Sequence, residues 1–180
     1  MNCFDLVRQR AVDACTRLRL WRCSEVGSGT RALGRLWIRG GGRIVLGRNV
    51  LLDGRAAPIE LHATRGAVIE IGDDVIVRGG CSIEATDNVK IGGASVLEPF
   101  VKIIDNQFHP LRGDRHQRPP SVKVCVEQGV RIGEHAILLP GACVQAGARI
   151  GPHSVISRRV PKAAFVAGNP PRAVHAAAAQ

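Results

Sequence analysis

Residues 126–156 read VEQGVRIGEHAILLPGACVQAGARIGPHSVI, and an aliphatic residue recurs here at every sixth position. This series is Val126, Ile132, Leu138, Val144, Ile150 and Ile156. Four residues after each of its first five members comes a second series: Val130, Ala136, Ala142, Ala148 and Ser154. A six-residue period fits neither a helix nor a single strand and is typical of a parallel β-helix. We therefore predict that the aliphatic side chains point inward and stack on their copies one coil away, while the small residues stand where the chain turns a corner.

The same phase continues upstream in two shorter runs. These are Ile71, Val77, Ile83 and then Ile91, Leu97, Ile103, with two extra residues between the runs, and Leu46-Gly47 marks an earlier coil. Isoleucine, leucine and valine contribute 47 of the 180 residues, whereas phenylalanine and tryptophan contribute six and tyrosine none. The 21 glycines and 10 prolines favour many short turns and argue against long helices and disorder. The predicted fold is an all-β solenoid forming one domain over residues 31–160.

The N-terminal region has a different pattern. Apolar residues at helical spacing predict an amphipathic helix within 2–22, with a linker up to residue 30. The apolar stripe consists of Phe4, Val7, Ala11, Ala14, Leu18 and Trp21, and five arginines lie off it. Two interpretations stay open: the helix packs on the body of the protein, or residues 1–24 contact a membrane surface.

The charge pattern restricts the partners. The formal net charge is +10, from 25 basic and 15 acidic side chains, and the excess is concentrated in the two terminal thirds. Such a balance suits an anionic partner: a phosphorylated cofactor, a membrane surface or a nucleic acid. An aromatic content of 3% and the lack of a reading motif argue against nucleic acid.

The six cysteines show no Cys-x-x-Cys arrangement, which argues against a disulfide framework and a zinc knuckle. The N-terminus lacks the pattern of a signal peptide. We therefore expect a cytoplasmic protein.

Two segments interrupt the repeat. Residues 105–121 form a polar, proline-containing insertion, which solenoids place as a loop on one side and often use for binding. The tail, 161–180, follows the end of the repeat and contains Gly168-Asn169-Pro170-Pro171-Arg172.

Together, the six-residue repeat, the His109-Pro110 pair in the loop and the tail motif resemble the hexapeptide-repeat acyltransferases. Within that superfamily the chain is most similar to the galactoside, maltose, nodulation-factor and surface-polysaccharide O-acetyltransferases, over roughly residues 40–174. The resemblance implies a left-handed parallel β-helix, a homotrimer, and acetyl-CoA bound between neighbouring subunits. It implies no metal.

The resemblance also implies roles for individual residues. His109 lies where this family keeps its catalytic histidine, whose imidazole takes the proton of a sugar hydroxyl as the oxygen attacks the thioester. Asp105, four residues earlier, is a candidate to orient that imidazole. His116 is the competing candidate, because its Gly113-Asp114-Arg115-His116 setting resembles the catalytic stretch of serine acetyltransferases.

Further residues match cofactor-binding positions of the family. Gly133, Glu134, Gly151 and Pro152 match the coil backbone that lines the pantetheine arm, and the Glu134 N–H matches an oxyanion donor. Arg158, Arg159 and Arg172 match the basic positions at the nucleotide end of the coenzyme.

Two positions depart from the galactoside pattern and bear on the acceptor. Arg131 stands where those enzymes often carry a tryptophan, and Arg78 where they use an asparagine. Both changes suit an anionic or larger glycan. We therefore predict an acetyl-CoA-dependent O-acetyltransferase acting on a sugar or surface polysaccharide, with Arg78 and Arg131 at the acceptor.

Three alternatives remain open at this point: a small-molecule acetyltransferase of the serine type, a non-catalytic β-helix scaffold, and a zinc hydratase of the gamma carbonic anhydrase type. The hydratase needs three converging histidines. His135 and His153 are predicted to stack one coil apart at equivalent positions in the middle of a face and to point to solvent, and no short-range histidine pair completes the set.

Overall fold

The computed structural model describes Thr16, residues 18–107, His109, Asp114, His116 and residues 118–174. These residues form a parallel β-solenoid of about seven coils, each with three faces. Face 1 is a seven-stranded sheet. Its strands are β1 (Glu25–Val26), β3 (Arg43–Leu46), β5 (Val68–Ile71), β8 (Asn88–Ile91), β11 (Val124–Val126), β14 (Cys143–Val144) and β17 (Arg159–Val160).

Faces 2 and 3 are joined through two long strands that turn the corner between them, β2 (Arg31–Gly40) and β4 (Leu51–Ala63). Face 2 continues with β6 (Ile76–Arg78), β9 (Val96–Leu97), β12 (Arg131–Ile132), β15 (Arg149–Ile150) and β18 (Phe165–Ala167), and β19 (Arg172–Ala173) pairs antiparallel with β18. Face 3 continues with β7 (Ser82–Ala85), β10 (Lys102–Ile104), β13 (Ile137–Leu138) and β16 (Val155–Ile156).

The predicted register is confirmed. Val126 pairs with Val144, Ile132 with Ile150 and Leu138 with Ile156, so each aliphatic stacks on the copy 18 residues later. In the upstream runs Ile71 pairs with Ile91, Val77 with Leu97 and Ile83 with Ile103. All members of both series are buried, so the six-residue period marks the inward positions. The architecture is consistent with a left-handed β-helix.

Three columns of turns form the corners. The first corner, between faces 1 and 2, carries Asn49, Asp74, Ala94, Gly129, Gly147 and Ala163 at positive φ. The second corner, between faces 2 and 3, carries Gly80, Phe100, His135 and His153 at positive φ. The third corner, between faces 3 and 1, includes Gly66 and Gly141. At the first and second corners a residue in the left-handed conformation recurs from coil to coil, whereas the third corner has one in only some of the coils.

The predicted N-terminal helix lies mostly outside the described residues. Within the part that is described, Leu20 N donates to Thr16 O at 2.9 Å, which is one helical turn, and no helix is found beyond it. Leu18 and Trp21 of the predicted stripe are 76% and 72% exposed, whereas Leu20, which lies off it, is buried, so these two stripe residues do not pack on the body of the chain. The reason is the orientation of the turn: Arg19 faces the solenoid and donates to Ala32 O.

Over the described ranges, no helix has the length and hydropathy needed to cross a membrane. Strands extend beyond the predicted limits of the repeat in both directions, from Glu25 to Ala173.

Candidate functional site

The insertion at residues 105–121 connects β10 on face 3 to β11 on face 1, which is the third corner. Face 1 shows its length: Ile91 pairs with Val126, 35 positions later, whereas Val126 pairs with Val144, 18 positions later. The difference of 17 matches residues 105–121. His109 is exposed in this loop and its N–H donates to Gln107 O at 2.7 Å. The geometry therefore leaves the imidazole of His109 accessible from outside the solenoid.

His116, the competing histidine, is also exposed. Its backbone N–H donates to Asp114 Oδ1 at 2.8 Å, a local turn within the loop. Several neighbours of both histidines, including Pro110, lie outside the described residues.

Asp105 anchors the base of the loop. Its side chain is buried, and its carboxylate accepts hydrogen bonds from Thr86 N, Thr86 Oγ1 and Asp87 N at 2.7–3.0 Å. These partners belong to the neighbouring coil, and His109 is not among the described contacts of the carboxylate. The structure thus places Asp105 as a clamp between coils, and its proposed action on His109 stays a prediction.

Asn106 completes the anchor, and the sequence analysis did not single it out. Its Nδ2 donates to Pro119 O at 2.8 Å and to Ser121 Oγ at 3.0 Å, which closes the far end of the loop onto its start. Ser121 Oγ in turn lies 2.5 Å from Thr86 Oγ1. A buried asparagine that bonds across an insertion looks like any polar loop residue in the sequence, so no local signal marks it.

The four residues matched to the pantetheine arm of the coenzyme lie together on the second corner. Gly133-Glu134 and Gly151-Pro152 occupy equivalent turns of successive coils, because Ile132 pairs with Ile150. A Cβ at Gly133 would lie 2.6 Å from Pro152 N, and one at Gly151 would lie 2.6 Å from Ala167 Cβ. Glycine is therefore needed here for the close approach of consecutive coils.

Glu134 is exposed, and its backbone N–H donates no hydrogen bond to another described residue. An N–H group that is free at a surface turn is available to a ligand oxygen. The equivalent positions in the adjacent coils are Pro99 and Pro152, which have no N–H. The corner therefore offers one donor between two residues that cannot donate.

A ladder of aromatic rings lies next to this donor. The Phe100 and His135 rings stack with centroids 4.9 Å apart, and the His135 and His153 rings with centroids 5.0 Å apart. The predicted stacking and exposure of the two histidines are thus confirmed, whereas their predicted place in the middle of a face is wrong, because both stand at the second corner. Across the described ranges, no group of three His, Cys, Asp or Glu side chains is placed to hold a metal ion.

The two arginines predicted at the acceptor come together on face 2. Arg78 Nε lies 2.9 Å from Glu98 Oε2, and Arg131 Nη1 lies 3.9 Å from Glu98 Oε1. Beside them Arg55 donates from Nε and Nη2 to the two oxygens of Asp53, each at 2.8 Å. Mainly this hydrogen bonding from Arg55 holds the pKa of Asp53 below its usual value. Glu98 was not predicted, because its contacts with Arg78 and Arg131 depend on how the coils are aligned. Asp53 and Arg55 form a local pair two residues apart, and the six-residue phase does not mark the segment that carries them.

The three arginines matched to the nucleotide end of the coenzyme are not brought together within one chain. Arg158 stands at the third corner and Arg159 pairs with Cys143 on face 1. Arg172 pairs with Ala167 at the edge of face 2. All three are exposed.

A separate cavity of about 530 Å³ lies along the first corner. Its lining is mostly small residues of successive turns, with Asp73, Asp74, Gln128 and Lys162 among them. It includes none of the predicted site residues.

No protein-family model and no curated protein matches the sequence. Solved structures do match. A mutant of the N-acyltransferase AntD from Bacillus cereus, in complex with dTDP-4-amino-4,6-dideoxyglucose and coenzyme A, superposes with a TM-score of 0.73 at 17% identity, covering 89% of this chain and 87% of that chain. The chain has the fold of an acyltransferase.

Two more structures support the same fold. AntD in complex with dTDP and 3-hydroxybutyryl-CoA gives a TM-score of 0.72 at 17% identity, with 89% and 86% of the two chains covered. A hexapeptide-repeat-containing acetyltransferase, VCA0836 from Vibrio cholerae O1 biovar eltor, was solved with acetyl coenzyme A. It gives a TM-score of 0.56 at 17% identity, with 88% of this chain and 73% of that chain covered. At these identities the likeness concerns the fold, and the reaction of this chain is argued from its own residues.

Proposed function

We propose that this protein is an acetyl-CoA-dependent O-acetyltransferase that modifies a hydroxyl group of a sugar or surface polysaccharide in the cytoplasm. The observation that carries the proposal is the exposed His109 within an insertion whose two ends are clamped onto an acyltransferase-type solenoid. The similar AntD and VCA0836 structures contain coenzyme A or its acyl derivatives, which supports the choice of cofactor.

The second corner fits the coenzyme. Gly133 and Gly151 allow consecutive turns of this corner to approach closely, and the Glu134 N–H donates to no described residue and can donate to a ligand oxygen. Arg158, Arg159 and Arg172 are exposed cations suited to its phosphates. Acetyl-CoA, when bound, supplies an acetyl group activated as a thioester.

The residues of the chain then divide the chemistry. His109 accepts the proton of the acceptor hydroxyl as its oxygen attacks, because a neutral imidazole nitrogen can take up a proton and give it back. The Glu134 N–H donates to the oxygen on which negative charge develops. His109 finally returns the proton to the departing sulfur.

One chain does not bring these groups together. His109 belongs to the third corner and Glu134 to the second, and face 3 separates the two corners. The outer surface of face 3 carries the half-buried apolar side chains Ile104, Ile137, Leu139 and Val155. A homotrimer with this face turned inward buries them and sets the third corner of one subunit against the second corner of the next. We therefore propose that the site forms between subunits.

The proposal is tested by thiol release from acetyl-CoA in the presence of oligosaccharides. We expect His109→Ala to lower the rate about 10²- to 10⁴-fold while the assembly persists, as for loss of a general base. His116→Ala is the matched control and should retain activity. A His109→Ala variant as active as its parent would overturn the assignment, and exclusive reaction with amino sugars would make the enzyme an N-acyltransferase.

A further inference from the structure

A second cavity, of about 510 Å³, lies on face 2 next to the second corner. Its lining is Asp53, Arg55, Ala56, Arg78, Gly79 and Pro99. Gly79 and Pro99 are corner residues in the same column as Glu134. The cavity therefore adjoins the corner that we assign to the coenzyme, at its upstream end.

β4 has extra residues between Asp53 and Glu60, and part of this bulge, called the overhang below, lines the cavity. Asp53 pairs with Arg78 and Glu60 with Ser82, so β4 uses seven residue steps at a corner that the next coil turns in four. The excess is held in place, because Gly80 N donates to Ala57 O at 3.3 Å and to Pro58 O at 3.1 Å. A Cβ at Gly79 would lie 2.9 Å from Ala57 N, so glycine permits this contact. The overhang carrying Arg55 is thus a fixed rim.

The charges at the cavity are arranged with the cations outermost. The side chains of Arg55, Arg78 and Arg131 are 69%, 47% and 65% exposed, whereas those of Asp53 and Glu98 are 18% and 29% exposed. An approaching ligand therefore meets guanidinium groups before carboxylates. Each guanidinium has five N–H groups, and only some of them can bond its carboxylate partner, so the others remain free to donate to a ligand.

Glu98 occupies the position between Arg78 and Arg131. The Arg131 contact, at 3.9 Å, is too long for a hydrogen bond, so this arginine can turn to another anion at little cost. On the same side of face 2, Arg149 is in register with Arg131 and forms no ion pair within the described part of the chain. The cluster carries more positive than negative charge.

We propose that Arg78 and Arg131, with Arg55 at the rim, bind an anionic group on the acceptor, a phosphate or carboxylate attached to the sugar. The anion site itself rests on the geometry of face 2. That the anion belongs to the acetyl acceptor rests on the proposed function. The acceptor anion replaces Glu98 as the partner of the two arginines, and the sugar then extends toward the second corner.

The test is calorimetric titration without coenzyme, using dTDP as the phosphate probe, glucuronic acid as the carboxylate probe and glucose as the neutral control. We expect binding of at least one anionic probe and not of glucose. Arg78→Gln and Arg131→Gln should each weaken that binding roughly tenfold or more, the typical effect of losing a charge-assisted hydrogen bond. Arg48→Gln is the matched control, because Arg48 is similarly exposed and paired with Asp73 but lies at the first corner.

Glu98→Gln gives a change of opposite sign. The Glu98 carboxylate competes with the probe for Arg78 and Arg131, so its removal should tighten binding of the probe. A purely structural role of Glu98 does not predict tighter binding. Binding of dTDP but not glucuronic acid assigns the phosphate source, and the reverse assigns the sugar acid.

Three results would overturn the inference. The first is that no anionic probe binds better than glucose, and the second is that Arg78→Gln binds the probe as Arg48→Gln does. The third is that coenzyme A competes with the probe, which would mean that the arginines bind the coenzyme. The two proposals fail separately. If the probes bind through Arg78 but the protein neither binds coenzyme A nor releases its thiol, the anion site stands and the acetyltransferase proposal is wrong.

Discussion

Glu134 stands at a turn position that is proline in both adjacent coils, Pro99 and Pro152. The residues that follow, Phe100, His135 and His153, all have φ of 55–61°, so the three turns share one backbone conformation. Proline is therefore compatible with position 134, and Glu134→Pro removes the N–H together with an exposed carboxylate that lies 3.5 Å from His135 Nε2. We expect this variant to fold and to lose about 10²- to 10³-fold in kcat, as for removal of an oxyanion donor.

Glu134→Ala serves as its control, because alanine keeps the N–H. It should retain most of the activity in the thiol-release assay. Equal loss in both variants would assign the effect to the carboxylate, and full activity in Glu134→Pro would remove the backbone donor from the mechanism.

The Asp105 carboxylate has three donors in the neighbouring coil, which favours a structural role over an orienting one. In Asp105→Asn one carboxylate oxygen becomes an NH₂ group that faces donors, so buried N–H or O–H groups lose their acceptor. We expect a loss of about 1–3 kcal/mol in the free energy of unfolding, measured by urea titration. An unchanged stability with a shifted pH–rate profile would instead show that Asp105 acts on His109.

The lowered pKa of the Asp53 carboxyl predicts that the free energy of unfolding depends on pH. Its pKa is lowered in the folded state, chiefly by the hydrogen bonds from Arg55, relative to about 3.9 in an unfolded chain. The carboxylate therefore stabilises the fold above that unfolded value, and the contribution is lost as the pH falls through the lower folded value. In thermal unfolding, Asp53→Asn should be less stable than the parent at pH 7, and the difference should shrink toward pH 3. A difference independent of pH would contradict the ion pair.

The strands and corners between Val126 and Ile156 could be predicted because equivalent positions there are 18 residues apart, so one phase marks each inward position. The next coil has only 16 residues, since Val144 pairs with Val160, and the phase is lost there. The long-range contacts could not be predicted. Asp105 meets Thr86, and Glu98 meets both Arg78 and Arg131, only because one coil has two extra residues and another carries the 17-residue insertion. A single sequence reveals that a coil is longer but not which side chains the change aligns. The overhang of β4 was missed for the same reason, since its extra residues hide the period.

The stacked lining predicts how the coils respond to truncation. Ile132 is fully buried and in register with both Leu97 and Ile150. Ile132→Ala should lower the free energy of unfolding by about 2–5 kcal/mol, through lost burial and a cavity between coils. Ile76→Ala, at a half-exposed outward position of face 2, is the control, and equal losses in a urea titration would mean that the inward series does not carry the stability.

The three faces of the solenoid differ in what they present to the outside. After the insertion, face 2 carries Arg131 and Arg149, and face 1 carries Cys125, Cys143 and Arg159. Face 3 carries the apolar side chains Ile137, Leu139 and Val155 after the insertion and the Lys102–Glu84 ion pair before it. It lies between the third corner, which holds His109, and the second corner, which holds the Glu134 N–H. An apolar surface between two halves of a site is expected where identical subunits meet, because one contact then buries the surface and completes the site.

A mixing experiment tests this arrangement. In the proposed mechanism, trimers of His109→Ala subunits and trimers of Glu134→Pro subunits are each inactive. A mixed trimer contains active sites if each site takes His109 from a Glu134→Pro subunit and the Glu134 N–H from a neighbouring His109→Ala subunit. Random assembly of equal amounts into cyclic trimers should restore about a quarter of the parental activity per site. Each variant alone, refolded in the same way, is the control. If the mixture stays as inactive as its components while size-exclusion chromatography shows mixed trimers, then His109 and Glu134 of one site come from the same chain.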